Sequence, residues 1–231
     1  MNERHRVKRL TALRYLLALP RSIWYNYRLL PFRQARRLPL LISHRTVVEN
    51  LSGHVVLAEE KPKMGLVKIG FATCQCSDFR YDRTRLNIRG SVKIASSCAI
   101  GAGSCIEVGE QGVLTIGNDF HLGPKSLIVC HKAITFGRES LTSWCCTFMD
   151  TDQHRLADVA GECANPDKAI VIGDNCWLGC HVIVSKGVQL PDRTTVGAGS
   201  RPVGIYSECE TVLAGNPAQV VRRSVFRQDL R

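Results

Sequence analysis

A short polar segment of the 231-residue chain carries residue types that acid–base chemistry needs. It reads Asp150-Thr-Asp152-Gln-His154 and lies between two stretches of regular, apolar-rich sequence. The imidazole of histidine titrates near neutral pH, so His154 is suited to act as a general base. A carboxylate two residues away has the chemistry to hold the ring's tautomer and to stabilise its charged form. We therefore predict that His154 is a base and that Asp152 orients it, with Asp150 as the alternative orienter.

A six-residue period predicts the elements that must position this segment. Five units follow one another without a gap from Ile172 to Arg201, and each begins with an aliphatic residue followed by a small residue or proline. A strict period of six excludes an α-helix and is typical of a parallel β-helix, in which each unit supplies a short strand and a turn. The same period runs less regularly upstream, and we expect the coils to begin near Leu86 or Val92. The period is lost between about Phe148 and Ala169, which predicts a loop (149–169) that leaves the solenoid.

Three parts follow from these patterns. We predict a basic, partly helical arm over 1–45, a β-helix domain over 46–223 that includes the loop, and a tail over 224–231. Within the arm, residues 1–19 are expected to be helical, and Pro20 is expected to begin a segment of short helical pieces and linkers. Strands are expected within 47–71. The segment Val212–Ala218 is expected to cap the exposed end of the solenoid.

The net charge of +11 is concentrated in the arm. Residues 1–45 hold eleven Lys or Arg and a single acid, Glu3. Aromatic and aliphatic residues such as Trp24, Tyr27 and Phe32 alternate with these charges, which is typical of a segment that rests on anionic lipid headgroups. The alternative is a cap docked on the end of the solenoid, and the two are compatible. No nucleic-acid-binding motif is present, so no nucleic-acid partner is expected.

Composition limits the remaining classes of protein. No run of 18 apolar residues exists and no signal peptide is recognisable, so we expect a cytoplasmic protein, peripheral at the inner face of the membrane if the arm binds lipid. The eleven cysteines are odd in number and irregular in spacing, which does not predict a disulfide framework. Cys98 and Cys176 occupy the fifth place of a repeat, where a small buried residue belongs. Neither Cys74-Gln-Cys76 nor Cys145-Cys146 has the paired spacing of a structural zinc site, and no metal is expected.

The hexapeptide units, the loop from Ser143 to His154 and the ending Ala214-Gly-Asn-Pro-Ala218 together resemble the hexapeptide-repeat acyltransferases. Within that family the resemblance is to the maltose/galactoside O-acetyltransferase-like branch, and most of all to cell-surface polysaccharide O-acetyltransferases. The segments Trp24–Ala35 and Asn165–Lys168 support the same branch. The resemblance implies an all-β, left-handed parallel β-helix that works as a homotrimer with acetyl-CoA.

The resemblance also implies roles for individual residues. His154 matches the catalytic base of an O-acetyltransferase that moves an acetyl group to a hydroxyl of a sugar or of a cell-surface polysaccharide precursor. Asp150 and Trp144 are expected to bind this saccharide acceptor. Positions expected to bind acetyl-CoA in a groove between subunits are Trp177, Gly179, Cys180, Ala198, Gln219 and Arg222.

Alternatives and one departure stay open at this point. An N-acyltransferase on an amino sugar shares the fold and the donor, and a non-catalytic β-helix scaffold would not need His154. A zinc hydratase of the same fold class would need three converging histidines. The run Arg201-Pro202-Val-Gly-Ile205 departs from the pattern that the family shows after Gly-Ala-Gly-Ser, which concerns acetyl-CoA binding at that coil.

Overall fold

The computed structural model describes the backbone of residues 3–228 and the side chains of residues 12–228. Residues 1–2 of the predicted arm and 229–231 of the predicted tail lie outside the described residues. The side chains up to residue 11, on which part of the predicted helical pattern rests, also lie outside them.

Three sheets, formed by strands that return once per coil, build a parallel β-helix. Within the described residues, sheet 1 has nine strands and sheets 2 and 3 have six each. Sheet 1 contains, in spatial order, β1 (Leu40–Ile42), β4 (Val67–Ala72), β7 (Cys98–Gly101), β10 (Phe120–Leu122), β13 (Leu141–Thr142), β16 (Trp177–Leu178), β19 (Thr195–Val196), β20 (Val212–Gly215) and β21 (Ala218–Arg222).

The other two sheets are built from the intervening strands. Sheet 2 contains β2 (Val47–Leu51), β5 (Arg85–Ile88), β8 (Cys105–Val108), β11 (Leu127–Cys130), β14 (Thr147–Met149) and β17 (Ile183–Ser185). Sheet 3 contains β3 (His54–Leu57), β6 (Ser91–Ile94), β9 (Val113–Ile116), β12 (Ala133–Phe136), β15 (Ile170–Ile172) and β18 (Gln189–Leu190). Neighbouring strands pair in parallel except β20 and β21, which form an antiparallel hairpin. This hairpin contains the segment Val212–Ala218, continues to Arg222 and caps the end of sheet 1.

The six-residue period produces the core directly. Residues at the same place of successive units face each other in register, so Ile106 pairs with Ile128, Ile128 with Phe148, and Phe148 with Val184. All four side chains are buried, and together they form one inward-facing column of sheet 2. One coil exposes one face of such a column, so the apolar surface is removed from water only by stacking several coils. The prediction of a parallel β-helix, and of small buried residues at Cys98 and Cys176, is confirmed.

The coils begin earlier than the period predicts. β1 pairs with β4 and β2 pairs with β5, so the solenoid starts at Leu40 rather than near Leu86 or Val92, and β1 lies inside the predicted arm. The sequence pattern hides these first coils because long connections, such as 73–84 between β4 and β5, interrupt the spacing of six. The pairing register tolerates such insertions, since a loop at a corner leaves the stacked strands in place.

The N-terminal helix also differs from the prediction. Helix α1 (Glu3–Leu29) continues through Pro20 and is followed by the short helix α2 (Phe32–Ala35). Proline removes one helical N–H, and tertiary contacts on its C-terminal side compensate for that loss. Asn26 accepts from Leu40 N (3.1 Å) and donates to Leu40 O (2.7 Å), while Ser22 Oγ accepts from Ile42 N (2.9 Å). These side chains pair the edge of β1 with α1.

Candidate functional site

The loop predicted around His154 is present as residues 150–169, between β14 of sheet 2 and β15 of sheet 3. Asp150 fixes its first residue to the solenoid. The carboxylate of Asp150 accepts the backbone N–H groups of His131 (2.7 Å) and Lys132 (2.8 Å), and Lys168 N donates to Asp150 O (3.1 Å). Asp150 is 0 % exposed. Both oxygens are occupied and no surface is open to a ligand, so the expected role of Asp150 with a saccharide, or with the ring of His154, does not fit this geometry.

Three side chains hold the middle of the loop, and we call Asp152, Asn165 and Lys186 the loop clasp. Lys186 Nζ donates to Asp152 Oδ2 (2.5 Å) and to Asn165 O (2.8 Å). Asn165 Nδ2 donates both to Asp152 Oδ2 (2.8 Å) and to the backbone oxygen of His154 (2.8 Å). Hydrogen bonding from Lys186, and then from Asn165, lowers the pKa of Asp152, so this carboxyl is ionised at neutral pH. The clasp therefore fixes the backbone on either side of His154.

His154 itself is exposed, and no residue of the described chain hydrogen-bonds to its ring. The expectation that Asp152 holds the tautomer of this ring by direct contact does not match the structure, because the carboxylate turns towards Lys186 instead. The backbone explains the difference. Gln153, between the two residues, has a φ of 59°, which breaks the extended geometry in which residues i and i+2 share one face. Asp152 is placed to act on His154 through the clasp.

The residues expected to bind acetyl-CoA lie elsewhere, on sheet 1 and at the corner where sheet 1 passes into sheet 2. Trp177 of β16 pairs in register with Thr195, Thr195 with Val212, and Val212 with Arg222, so these positions form one row across the end of sheet 1. The candidates with exposed or half-buried side chains along this region are Trp177, Cys180, Ala198, Gln219 and Arg222.

Gly179 and Trp144 occupy the same corner with different surroundings. Gly179 is buried, and a Cβ there would lie 2.6 Å from the backbone nitrogen of Ala198 in the next coil. The coil stacking therefore requires a glycine at this position irrespective of any ligand. Trp144 is half-buried, and its backbone oxygen accepts from His181 N (3.1 Å), also at this corner. The structure thus groups Trp144 with the residues expected to bind the cofactor and not with the loop that carries His154.

The two groups of candidate residues lie at opposite ends of the strands of sheet 2. The loop with His154 is at the corner between sheets 2 and 3, whereas Trp144, Trp177 and Ala198 belong to sheet 1 or to the corner between sheets 1 and 2. Among the described residues no hydrogen bond or ion pair joins the two groups. The two groups of candidate residues are therefore not joined in a single hydrogen-bonded cluster within the described chain.

Sequence reasoning missed the hydrogen bonds that Lys186 and the side chain of Asn165 make with the loop. Lys186 is the third residue of a repeat unit, where a charged side chain normally indicates only an exposed turn. The structure distinguishes Lys186 from such a residue by its burial, because its side chain is only 17 % exposed at the corner next to the loop.

The departure at Arg201–Ile205 corresponds to a coil that forms no strand in sheet 2 and only one bridge, Gln189 with Ile205, in sheet 3. Among the residues with described side chains, no group of His, Cys, Asp or Glu has the arrangement of a metal site.

Comparisons with known proteins agree with this architecture. An uncharacterised 24.8 kDa protein in the cps region of Klebsiella pneumoniae is 25 % identical over 202 residues, which is 87 % of this chain and 87 % of that protein. WcaF of Escherichia coli (strain K12), the candidate acetyltransferase of colanic acid biosynthesis, is 34 % identical over 60 % of this chain and 66 % of its own length. The crystal structure of the polySia-specific acetyltransferase NeuO superposes with a TM-score of 0.54 at 20 % identity, over 83 % of this chain and 82 % of that one, and shares the fold. No protein-family model matches the chain.

The named relatives of the chain are acetyltransferases, and they include the galactoside O-acetyltransferase of Escherichia coli (strain K12), 40 % identical over 23 % of this chain and 26 % of that protein. None of the helices in the described part of the chain is both long and apolar enough to span a bilayer.

Proposed function

We propose that the protein is an acetyl-CoA-dependent O-acetyltransferase whose acceptor is a hydroxyl of a sugar in a cell-surface polysaccharide precursor. Similarity to named acetyltransferases supports the reaction, and the name of WcaF supports the acceptor class. The observation that carries the proposal is the exposure of His154 on a loop that Asp150 fixes at its first residue and the loop clasp fixes at its middle. Together these hydrogen bonds fix the position of the backbone that carries the exposed imidazole.

The chemistry needs little more than a placed base. The neutral imidazole of His154 takes the proton of the acceptor hydroxyl while the oxygen attacks the carbonyl carbon of the thioester. The C–S bond then breaks, and the imidazolium returns the proton to the departing thiolate of CoA. The alcohol attacks the thioester directly, so no covalent enzyme intermediate is required. Asp152 contributes as a positioning residue, because the clasp that it forms with Lys186 and Asn165 holds the backbone oxygen of His154.

The donor side of the site belongs to a neighbouring subunit in this proposal. Trp177, Cys180, Ala198, Gln219 and Arg222 border a face of one chain that lies across sheet 2 from His154. A closed cyclic assembly would bring that face to the His154 loop of the next chain and repeat the site at every interface. We propose a homotrimer of left-handed β-helices with three equivalent sites. The proposed location is the cytoplasm, with peripheral contact to the inner face of the membrane through residues 1–45.

Replacement of His154 tests the base. His154→Ala should lower kcat by about 100-fold or more, the usual scale for a lost general base, with little change in acetyl-CoA affinity. His54→Ala is the matched control, because His54 is also exposed but lies on β3, several coils away. Wild-type turnover by His154→Ala on a hexose acceptor would remove the base assignment.

Mixing variants tests the shared site separately. His154→Ala and Trp177→Ala subunits each carry one defective half, so co-assembled trimers should regain activity at the interfaces that combine two intact halves. Light scattering would report the oligomeric state of the same samples. A fully active monomer, or mixtures with no more activity than their separate components, would contradict the site between subunits.

A further inference from the structure

Helix α1 is docked on the solenoid by its small and polar side chains. The face against β1 is formed by Ala18, Ser22 and Asn26, all 0 % exposed. Ser22 and Asn26 hydrogen-bond to the backbone of β1, as described above, and Gln34 of α2 donates to Leu57 O and Glu59 O (both 2.9 Å) at the edge of sheet 3. The N-terminal segment thus covers the first coil, so the opposite face of α1 points away from the end of the solenoid.

That opposite face is apolar and exposed, and we call it the α1 stripe. In a helix with 3.6 residues per turn, positions 13, 16, 17, 20, 23, 24 and 27 fall on one side, about 180° from Ala18 and Ser22. Leu16 is 63 % exposed and Trp24 is 56 % exposed. In a surface helix the large apolar side chains normally face the protein. In α1 they face outward, and the small and polar side chains face the solenoid. The members of the α1 stripe are Leu13, Leu16, Leu17, Ile23, Trp24 and Tyr27, with Phe32 of α2 continuing it.

The chain segment that carries the α1 stripe contains side-chain charges of one sign. Residues 12–39 contain six arginines and no Asp or Glu. Arg14 packs over the ring of Phe79 and Arg21 donates to His44 O, so these two are engaged within the chain. The remaining four are exposed, and the guanidinium of Arg28 lies 5.3 Å from the ring centre of Trp24. We call these four the cationic rim: Arg28, Arg33, Arg36 and Arg37.

We propose that α1 lies flat on an anionic lipid bilayer, with the α1 stripe inserted among the lipids and the cationic rim against their headgroups. Insertion removes apolar side chains from water, tryptophan and tyrosine suit the interface, and each nearby arginine adds electrostatic attraction. Charge complementarity favours lipid over a second copy of this chain, because the facing copy would present the same cationic rim. This proposal rests on the peripheral membrane contact proposed above and names the residues that would make it. Vesicle binding requires no acyl transfer, so its failure and the failure of the enzymatic proposal are distinguishable.

Flotation of the full-length protein with vesicles tests the surface. The protein should float with phosphatidylglycerol/phosphatidylcholine vesicles at low salt and remain unbound with phosphatidylcholine alone. A Leu16→Glu, Trp24→Glu, Tyr27→Glu variant should bind at least about tenfold more weakly, since it removes the inserted groups and adds repulsive charge. The matched control is Tyr81→Glu, Val203→Glu, Ile205→Glu, which makes the same charge change at comparably exposed apolar residues. Equal binding by the two variants would overturn the proposal. Truncation of the helix is a poorer test, because it also removes Ser22 and Asn26 from β1.

Tryptophan quenching gives the orientation and separates lipid contact from self-association. The chain has three tryptophans, and only Trp24 lies in the α1 stripe, while Trp144 and Trp177 lie several coils away. Brominated lipid in the vesicles should quench the wild-type protein, and Trp24→Phe should abolish that quenching. Quenching that survives in Trp24→Phe would overturn the orientation. If light scattering shows that the glutamate variant dissociates and Trp24 is not quenched in the wild type, the α1 stripe is an interface between copies and the proposal fails.

Discussion

Replacement of Asn165 tests whether the loop clasp controls catalysis, because the Asn165 side chain hydrogen-bonds neither to the ring of His154 nor to any residue expected to bind acetyl-CoA. Asn165→Ala removes two donated hydrogen bonds, to Asp152 and to the backbone oxygen of His154, and one accepted from Leu156 N. At about 0.5–1.5 kcal/mol each, the two donated bonds account for roughly 1–3 kcal/mol of clasp stability. Asn165→Asp keeps an acceptor for Leu156 N, removes the two donated bonds and also places a second carboxylate beside Asp152. Two charges about 4 Å apart repel by about 1 kcal/mol in water and about 4 kcal/mol near a protein surface.

The expected order of activity is therefore wild type, then Asn165→Ala, then Asn165→Asp. Since about 1.4 kcal/mol corresponds to a factor of ten, we expect kcat/KM to fall about tenfold for the alanine variant and about 100-fold for the aspartate variant. The melting temperature should change little, because the loop is exposed and the coils beneath it are intact. Steady-state kinetics with acetyl-CoA and a saccharide acceptor, together with thermal unfolding, measure both quantities.

The aspartate variant also has a pH signature that a general loss of structure would not produce. Repulsion between two carboxylates raises the pKa of one of them, so lowering the pH restores a proton and a hydrogen-bond donor. Its activity relative to wild type should therefore rise as the pH falls from about 8 to about 6, where the wild-type Asp152, with its lowered pKa, stays ionised. The double variant Asp152→Asn, Asn165→Asp restores one amide and one carboxylate and should recover part of the loss. If Asn165→Asp has wild-type kcat/KM throughout this pH range, the clasp does not position the base.

Two further predictions concern the coils. Burial raises the pKa of the thiols of Cys98, Cys146 and Cys176 to about 12. At pH 8 a thiol reagent should therefore label the exposed Cys163 and Cys209 in the folded protein, and the three buried thiols only after unfolding. Rapid labelling of the three buried thiols in the native protein would show that the coils open. Phe136 is buried between Phe120 and Phe148, with ring centres 4.5 and 4.9 Å away, so Phe136→Ala should lower the free energy of unfolding by about 3–5 kcal/mol in urea titrations. Tyr81→Ala, at an exposed ring, should change it by less than about 0.5 kcal/mol, and equal effects of the two substitutions would contradict the stacked core.

The sequence alone was sufficient for the features that repeat locally. The units from Ile172 to Arg201 predicted the coils, because each residue's inward or outward direction follows from its place within six residues. The loss of that period predicted a loop over 149–169, and the structure has the connection between β14 and β15 at 150–169. The assignment of His154 as the base rests on residue types and stays a prediction. The apolar and basic composition of the arm predicted a surface segment, but not which face of α1 is exposed.

Tertiary structure decided the features that depend on which coil lies next to which. Lys186 is 34 residues from Asp152 in the chain, yet it reaches that carboxylate because β17 stacks directly on β14. The first coils were hidden by long corner loops, although pairing with β4 still holds β1 in register. Helix α1 continues through Pro20 because Ser22 and Asn26 pair the edge of β1, a stabilisation that helix propensity does not contain. Hydrogen bonds between coils depend on the length of chain inserted at every corner, and a local pattern of six residues carries no information about that length.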